Sequence, residues 1–207
     1  MIIEKVVDRF MDENTYIIGD EKTKKCAIID PGGSTIDIFN KIKQHGLTVE
    51  YIILTHGHGD HICRVPEIKS KTNAKIVAHV NEEEVLIDRN KNLSAQLPGP
   101  LVEFDADEYV QEGDVIELGS LKLKVIHTPG HTKGGMCIKV GEHIFTGDTL
   151  FAGSIGRTDF YGGDYKQMMK SLRKLAKYDD NAVIYPGHGP TSTIGVEKRM
   201  NPYMQQI

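Results

Sequence analysis

Along the chain, the spacing of hydrophobic positions switches repeatedly between short continuous runs and a helical repeat. Residues 2–7, 15–18 and 25–29 are short runs rich in Ile and Val, with Gly19-Asp20 as a turn signal, and they predict three strands. A tight Asp30-Pro31-Gly32-Gly33 loop follows. Ser34 then offers an N-cap to a helix whose apolar positions are Ile36, Ile38, Phe39 and Ile42 and which Gly46 ends. Residues 49–54 read as a buried strand, 61–71 as a helix, and 75–78 as another strand.

Residues 81–88 fit a helix, with Glu82-Glu83-Glu84 as its acidic first turn. The stretch 89–107 contains Pro98-Gly99-Pro100 and little periodicity, so it predicts a long loop of the kind that forms lids or pocket rims. Strands are expected again at 114–117, 121–127, 136–140 and 143–145, a helix at 165–177, a last core strand at 181–185, and a short terminal helix at 196–200. A half built of strands and helices followed by a similar half suits two packed sheets with helices outside.

Composition narrows the class. A chain of 207 residues, 39% hydrophobic and 26% charged, is ordinary for a globular protein and is read as one domain, 1–207. The net charge of −4 and the scattered Lys and Arg argue against a nucleic-acid partner. No apolar run reaches membrane-spanning length, and the first residues lack signal-peptide regions. Three cysteines imply no disulfide framework, so cytoplasmic residence is the expectation. Cys63 reads as a small buried residue.

The chemistry is concentrated in Thr55-His56-Gly57-His58-Gly59-Asp60-His61, directly after the 49–54 strand. An extended segment would put His56, His58 and Asp60 on one side, with His61 free to turn toward a second centre. Three later segments each place one more donor after a strand, beside Gly or Pro: His131, Asp148 and His188. Loops at the end of a sheet are where distant residues converge. These five histidines and two aspartates suffice for two divalent metal ions, with zinc first and iron or manganese possible. Lone histidines at 45, 79, 127 and 143 read as ordinary structural residues.

The His-x-His-x-Asp-His motif with those three later donors resembles the metallo-β-lactamase superfamily. Gly147-Asp148-Thr149-Leu150-Phe151 and Gly153-Ser154-Ile155-Gly156-Arg157-Thr158-Asp159 are similar to the glyoxalase II-like hydrolases. The resemblance implies an α/β fold, an αββα sandwich of two mixed sheets flanked by helices. It implies that His56, His58 and His131 hold one metal, that Asp60, His61 and His188 hold the other, and that Asp148 bridges them. It further implies hydrolysis of a small-molecule thioester of the S-lactoylglutathione type by a metal-bridging hydroxide, with Asp60 as the catalytic base. Arg157 falls near a basic substrate-binding residue of that family. A structural ion pair with Asp159 or Asp164 is its other reading. Asp30 and Asp159 are the candidates for backing the ligands, and Tyr161 and Tyr165 for the pocket rim. The C-terminal helical domain of full-length glyoxalase II has no counterpart after His188. Gly156-Arg157-Thr158-Asp159-Phe160 also resembles persulfide dioxygenases, which bind one iron, and a metal-binding module without turnover is the third reading.

Overall fold

The computed structural model describes residues 1–207. Six strands form a first sheet in sequence order: β1 (Ile2–Val7), β2 (Asn14–Gly19), β3 (Lys25–Ile29), β4 (Thr48–Ile53), β5 (Lys75–His79) and β6 (Glu108–Val110). The β1–β2 and β2–β3 pairs are antiparallel, and the β3–β4, β4–β5 and β5–β6 pairs are parallel. The parallel pairs require crossovers. The β3–β4 crossover is helix α1 (Thr35–His45), and the β4–β5 crossover carries α2 (Gly59–Ile62) and α3 (Val65–Thr72). The β5–β6 connection holds α4 (Glu83–Leu86) and the long loop after it.

The second sheet contains β7 (Val115–Leu118), β8 (Leu121–His127), β9 (Met136–Val140) and β10 (His143–Gly147). A short ribbon of β11 (Leu150–Phe151) and β12 (Ser154–Ile155) leads to α5 (Tyr165–Leu175). The chain then returns as β13 (Val183–Pro186), parallel to β10, and ends with β14 (Ser192–Thr193) and α6 (Ile194–Met200).

Three apolar layers make this a four-layer αββα sandwich. Ile17, Ile28 and Ile52 face Ile38 and Ile42 of α1 and Ile68 of α3. Their strand neighbours Tyr16, Ile18, Ala27, Ile29 and Ile53 point the other way, onto Leu123, Val125, Ile138 and Phe145 of the second sheet. The outer face of that sheet packs Ile126, Ile144 and Ile184 on Leu172 and Leu175 of α5 and Ile194 of α6. Strands buried on both faces are apolar at every position, which is why they read as runs rather than alternations.

The differences from expectation are local. The 61–71 helix is two helices: it starts at Gly59, breaks at Cys63-Arg64, and resumes with Pro66 in its first turn, where a missing N–H costs nothing. The 81–88 helix is a 3₁₀ turn, Val80–Glu82, followed by the single-turn α4. The strands β6, β11, β12 and β14 are two or three residues long, too short for periodicity to mark. No helix is long and apolar enough to cross a membrane.

Candidate metal centre

All seven predicted donors come together at one edge of the sandwich, where loops leave β4, β8, β10 and β13. His56 and His58 lie on the extended turn after β4. Asp60 and His61 lie on α2, so the motif is extended only as far as His58, which caps the helix. The helical turn at Gly59 sets the His61 ring between His56, with centroids 4.2 Å apart, and His188, with centroids 5.2 Å apart. Gly32 makes room for this: a Cβ there would meet the Asp60 carbonyl oxygen at 1.8 Å. At Gly187 a Cβ would meet the Asp148 carboxylate at 2.4 Å and the His61 ring at 2.6 Å.

Two triads result: His56, His58 and His131, and Asp60, His61 and His188, each with donor atoms within 4.8 Å of one another. Asp148 stands between them, one oxygen 3.4 Å from His61 Nε2 and the other 3.4 Å from His131 Nε2. Its second oxygen is 3.8 Å from His188 Nε2, and Asp60 Oδ2 is 3.3 Å from the same nitrogen.

The donor set fits metal ions. His58 Nδ1 and His131 Nε2 lie 2.8 Å apart, and the Nε2 atoms of His61 and His188 lie 3.2 Å apart. Facing imidazole nitrogens need a proton or a cation between them. The Nε2 atoms of His56 and His58 are buried with no hydrogen-bond partner. Tautomers are set from behind. His131 Nδ1 donates to the Arg157 carbonyl at 2.7 Å, and His61 Nδ1 donates to Asp30 at 3.1 Å, so each ring turns its Nε2 inward, toward the other donors. Asp30 also lies near His56 and His61 in ligating range. Its oxygens are already taken by the Thr55 amide and hydroxyl and by His61, so it orients rather than ligates. Asp30 holds a left-handed backbone, φ 49°, to do this.

Electrostatics agree with that reading. Burial pushes His58 down to about 3, with His131 adding to the shift, and it holds His56 well below the imidazole range. Burial works against charge on Asp148, but His61, His131 and His56 outweigh it and keep the carboxyl ionised. Burial also opposes charge on Asp60, and His61 and His188 again prevail. Neutral imidazole and ionised carboxylate are the forms a divalent metal requires.

Three side chains hold the ligand loops in place without any motif to announce them. Glu82, fully buried, accepts from the Gly57 amide at 2.8 Å, the Gly134 amide at 2.8 Å and the Thr132 hydroxyl at 2.5 Å. It thus ties the His56–His58 turn to the His131 loop. In the sequence it is hidden in an acidic run whose other two members are exposed. Asn14 donates to the carbonyls of Pro186 at 2.9 Å and Gly189 at 2.8 Å, fixing the His188 loop. Glu13, buried beside Gly32, pairs by backbone with His188.

A cavity of about 480 Å³ opens beside the donors. Leu93, Gln96 and Leu97 from the long loop form one wall, and Met11, Phe151, Arg157 and Phe160 form others. That loop is anchored: the Gly59 amide donates to the Asn92 carbonyl at 2.7 Å, and Leu93 takes a left-handed φ of 67°. Arg157 lies over the Phe160 ring at 3.7 Å and forms a two-pronged ion pair with Asp159 at 2.7 Å. Asp159 is therefore exposed and committed to Arg157. It does not back a ligand; the Arg157 carbonyl does that for His131. Tyr161 bonds Glu84 on the surface, and neither it nor Tyr165 lines the cavity. Cys63 is half-buried, its thiol directed at the Gly32 carbonyl.

A sandwich of this topology with these converging loops defines a family of metallo-hydrolases, and the sequence agrees: the metallo-β-lactamase superfamily matches residues 8–188. The chain belongs to that superfamily. It is 35% identical over 209 residues to the hydroxyacylglutathione hydrolase GloC of Haemophilus influenzae, covering 99% of this chain and 98% of that one. Among solved structures, the BLEG-1 B3 metallo-β-lactamase superposes with a TM-score of 0.91 at 31% identity, covering 98% and 99% of the two chains. TTHA1623, solved in a di-iron-bound form, gives a TM-score of 0.83 at 29% identity over 97% and 99%.

Proposed function

We propose that the protein is a metal-dependent hydrolase that cleaves a thioester of the S-lactoylglutathione type, using two divalent ions. The observation that carries this is the complete donor set beside the 480 Å³ cavity, in a chain aligned end to end with a hydroxyacylglutathione hydrolase. His56, His58 and His131 would hold one ion, Asp60, His61 and His188 the other, with Asp148 shared. Bound there, divalent ions supply Lewis acidity toward an acyl oxygen and a water acidic enough to attack at neutral pH.

The chain's own residues do the rest. Asp60, kept ionised by His61 and His188, lines the cavity as the proton acceptor. Asp30 and the Arg157 carbonyl fix His61 and His131 in one tautomer, which removes reorganisation from the reaction. Leu93, Leu97, Phe151 and Phe160 exclude water from the acyl group. Arg157 reaches a substrate carboxylate by exchanging its exposed partner Asp159. The donors are all nitrogen and oxygen, so zinc, iron and manganese all suit them. The di-iron form of the 29% identical structure is one reason to assay iron alongside zinc.

The test is metal content together with steady-state turnover of S-lactoylglutathione, simpler thioesters and a β-lactam. Two ions per chain and oxygen-independent thioester cleavage are expected. A single iron with oxygen uptake on a persulfide would replace this reading with the dioxygenase one, which the Gly156–Phe160 segment favours. A fully loaded protein inert toward every substrate would leave a binding module.

A further inference from the structure

Away from the metal donors, the molecule keeps one half-buried cation without a partner. Arg64, at the break between α2 and α3, has its Nε buried with no acceptor, and its guanidinium forms no ion pair. The carboxylates around it are engaged elsewhere. Asp8 accepts from the Phe10 and Met11 amides at 2.9 and 2.8 Å. Glu67 takes the Thr35 hydroxyl at 2.8 Å and the Lys71 ammonium at 2.7 Å. The outer nitrogens of Arg64 have no protein acceptor and are not buried as Nε is, so they are left to pair with an anion.

Arg64 lies on the wall of a second cavity, about 260 Å³, whose other walls include Phe10, Met11, Pro98 and Pro100. That cavity and the one beside the metal donors share Asp60 and Met11 as lining residues. The second cavity therefore adjoins the first at Asp60 and Met11, and it sets apolar walls beside a single unpaired cation. Its shape and chemistry suit a short chain ending in negative charge. Asp8 also lines this second cavity and no cation pairs with it, so like-charge repulsion favours one carboxylate over a phosphate dianion.

We infer that Arg64 is the anchor for a carboxylate at the far end of the substrate, with the connecting chain lying against Met11, Pro98 and Pro100. The inference deepens the thioesterase reading and rests on it for the identity of the bound molecule. It adds a second charged contact, at the far end of the substrate, to the one proposed for Arg157, which lines only the metal-side cavity.

Two probes test it: a thioether ending in a carboxylate, and the methyl ester of the same thioether. Calorimetry on the zinc-loaded full chain is expected to show about tenfold tighter binding of the acid, the scale of one charge-assisted pair. In Arg64→Gln the acid-to-ester ratio should fall to about one, and in Arg64→Lys to an intermediate value. Metal content and melting temperature serve as folding controls, and the lysine variant stands in should the glutamine variant not fold. No preference in the wild type, a preference that survives Arg64→Gln, or one that disappears in Arg157→Gln instead would each overturn the assignment. Hydrolysis of the matching neutral thioester is read separately. If the wild type cleaves no thioester, the catalytic reading fails, while the binding ratio still judges Arg64.

Discussion

The two triads differ in almost every physical respect. His56, His58 and His131 are all imidazoles, 2–5% exposed, and the loops that carry them are tied together by Glu82. Asp60, His61 and His188 form the charged side, fully buried at His61 and open only toward His188. His188 is about a quarter exposed, and the Asp60 and Asp148 carboxylates surround the His61 ring. Burial holds His56 and His58 below the usual imidazole range. In the second, burial opposes protonation, but Asp148 and Asp60 outweigh it and hold His61 and His188 above the usual imidazole range. The first triad is built for a metal in advance, whereas the second must give up protons to receive one.

The largest expected effect comes from removing what the triads share. Asp148→Asn should lower metal content at both and cut turnover by more than about 100-fold, since even outer hydrogen-bond partners of ligands cost 10- to 100-fold. Elemental analysis beside kinetics checks it, and two tightly held ions in the variant would show that the triads are independent. Next in size is pH. Because His61 and His188 have raised proton affinity, the second ion competes with protons, and its apparent affinity should fall by up to about tenfold per pH unit for each proton displaced. The first ion, held in part by His56 and His58 below the usual imidazole range, should be less affected. Zinc titrations at several pH values would show it, and parallel weakening of both ions would break the comparison.

Glu82 offers a smaller, more selective test. Burial pushes its carboxyl up to about 7, against the pull of Thr132, Gly134 and Gly57. A folded pKa above the unfolded one makes its contribution to stability full below about pH 4.5 and lost as pH rises through about 7. Glu82→Gln turns an amide NH₂ against a buried donor, so it should cost about 1–3 kcal/mol and flatten that part of the pH profile. Denaturant unfolding of the metal-free protein from pH 4 to 8 measures both, and an unchanged slope would mean that Glu82 does not titrate there. The smallest effect belongs to Asp159→Asn. Its pair with Arg157 is exposed on both sides, so the melting temperature should not move. A destabilised variant would give Asp159 the structural role its exposure denies.

Much of this was legible beforehand because the signals were local. The runs at β2 to β5, the Ser34 cap of α1 and the spacing of donors after β4 each depend on residues a few positions apart. Glu82 was not legible, because its burial depends on Gly57 and Gly134, which sequence separates from it by 25 and 52 positions. Asn14 and the His188 loop are further apart still. The role proposed for Asp159 failed for the opposite reason: adjacency to Arg157 gave it a nearer partner than any ligand.

The sequence by itself determined the donor types, the loops that carry them and the two-sheet plan, since periodicity and ligand chemistry are written in short stretches of chain. Only the tertiary structure decided that Asp30 backs His61 while a carbonyl backs His131, that Glu82 ties two ligand loops together, and where an unpaired arginine meets a cavity. Those depend on packing two sheets face to face, and packing brings together residues that no local rule relates.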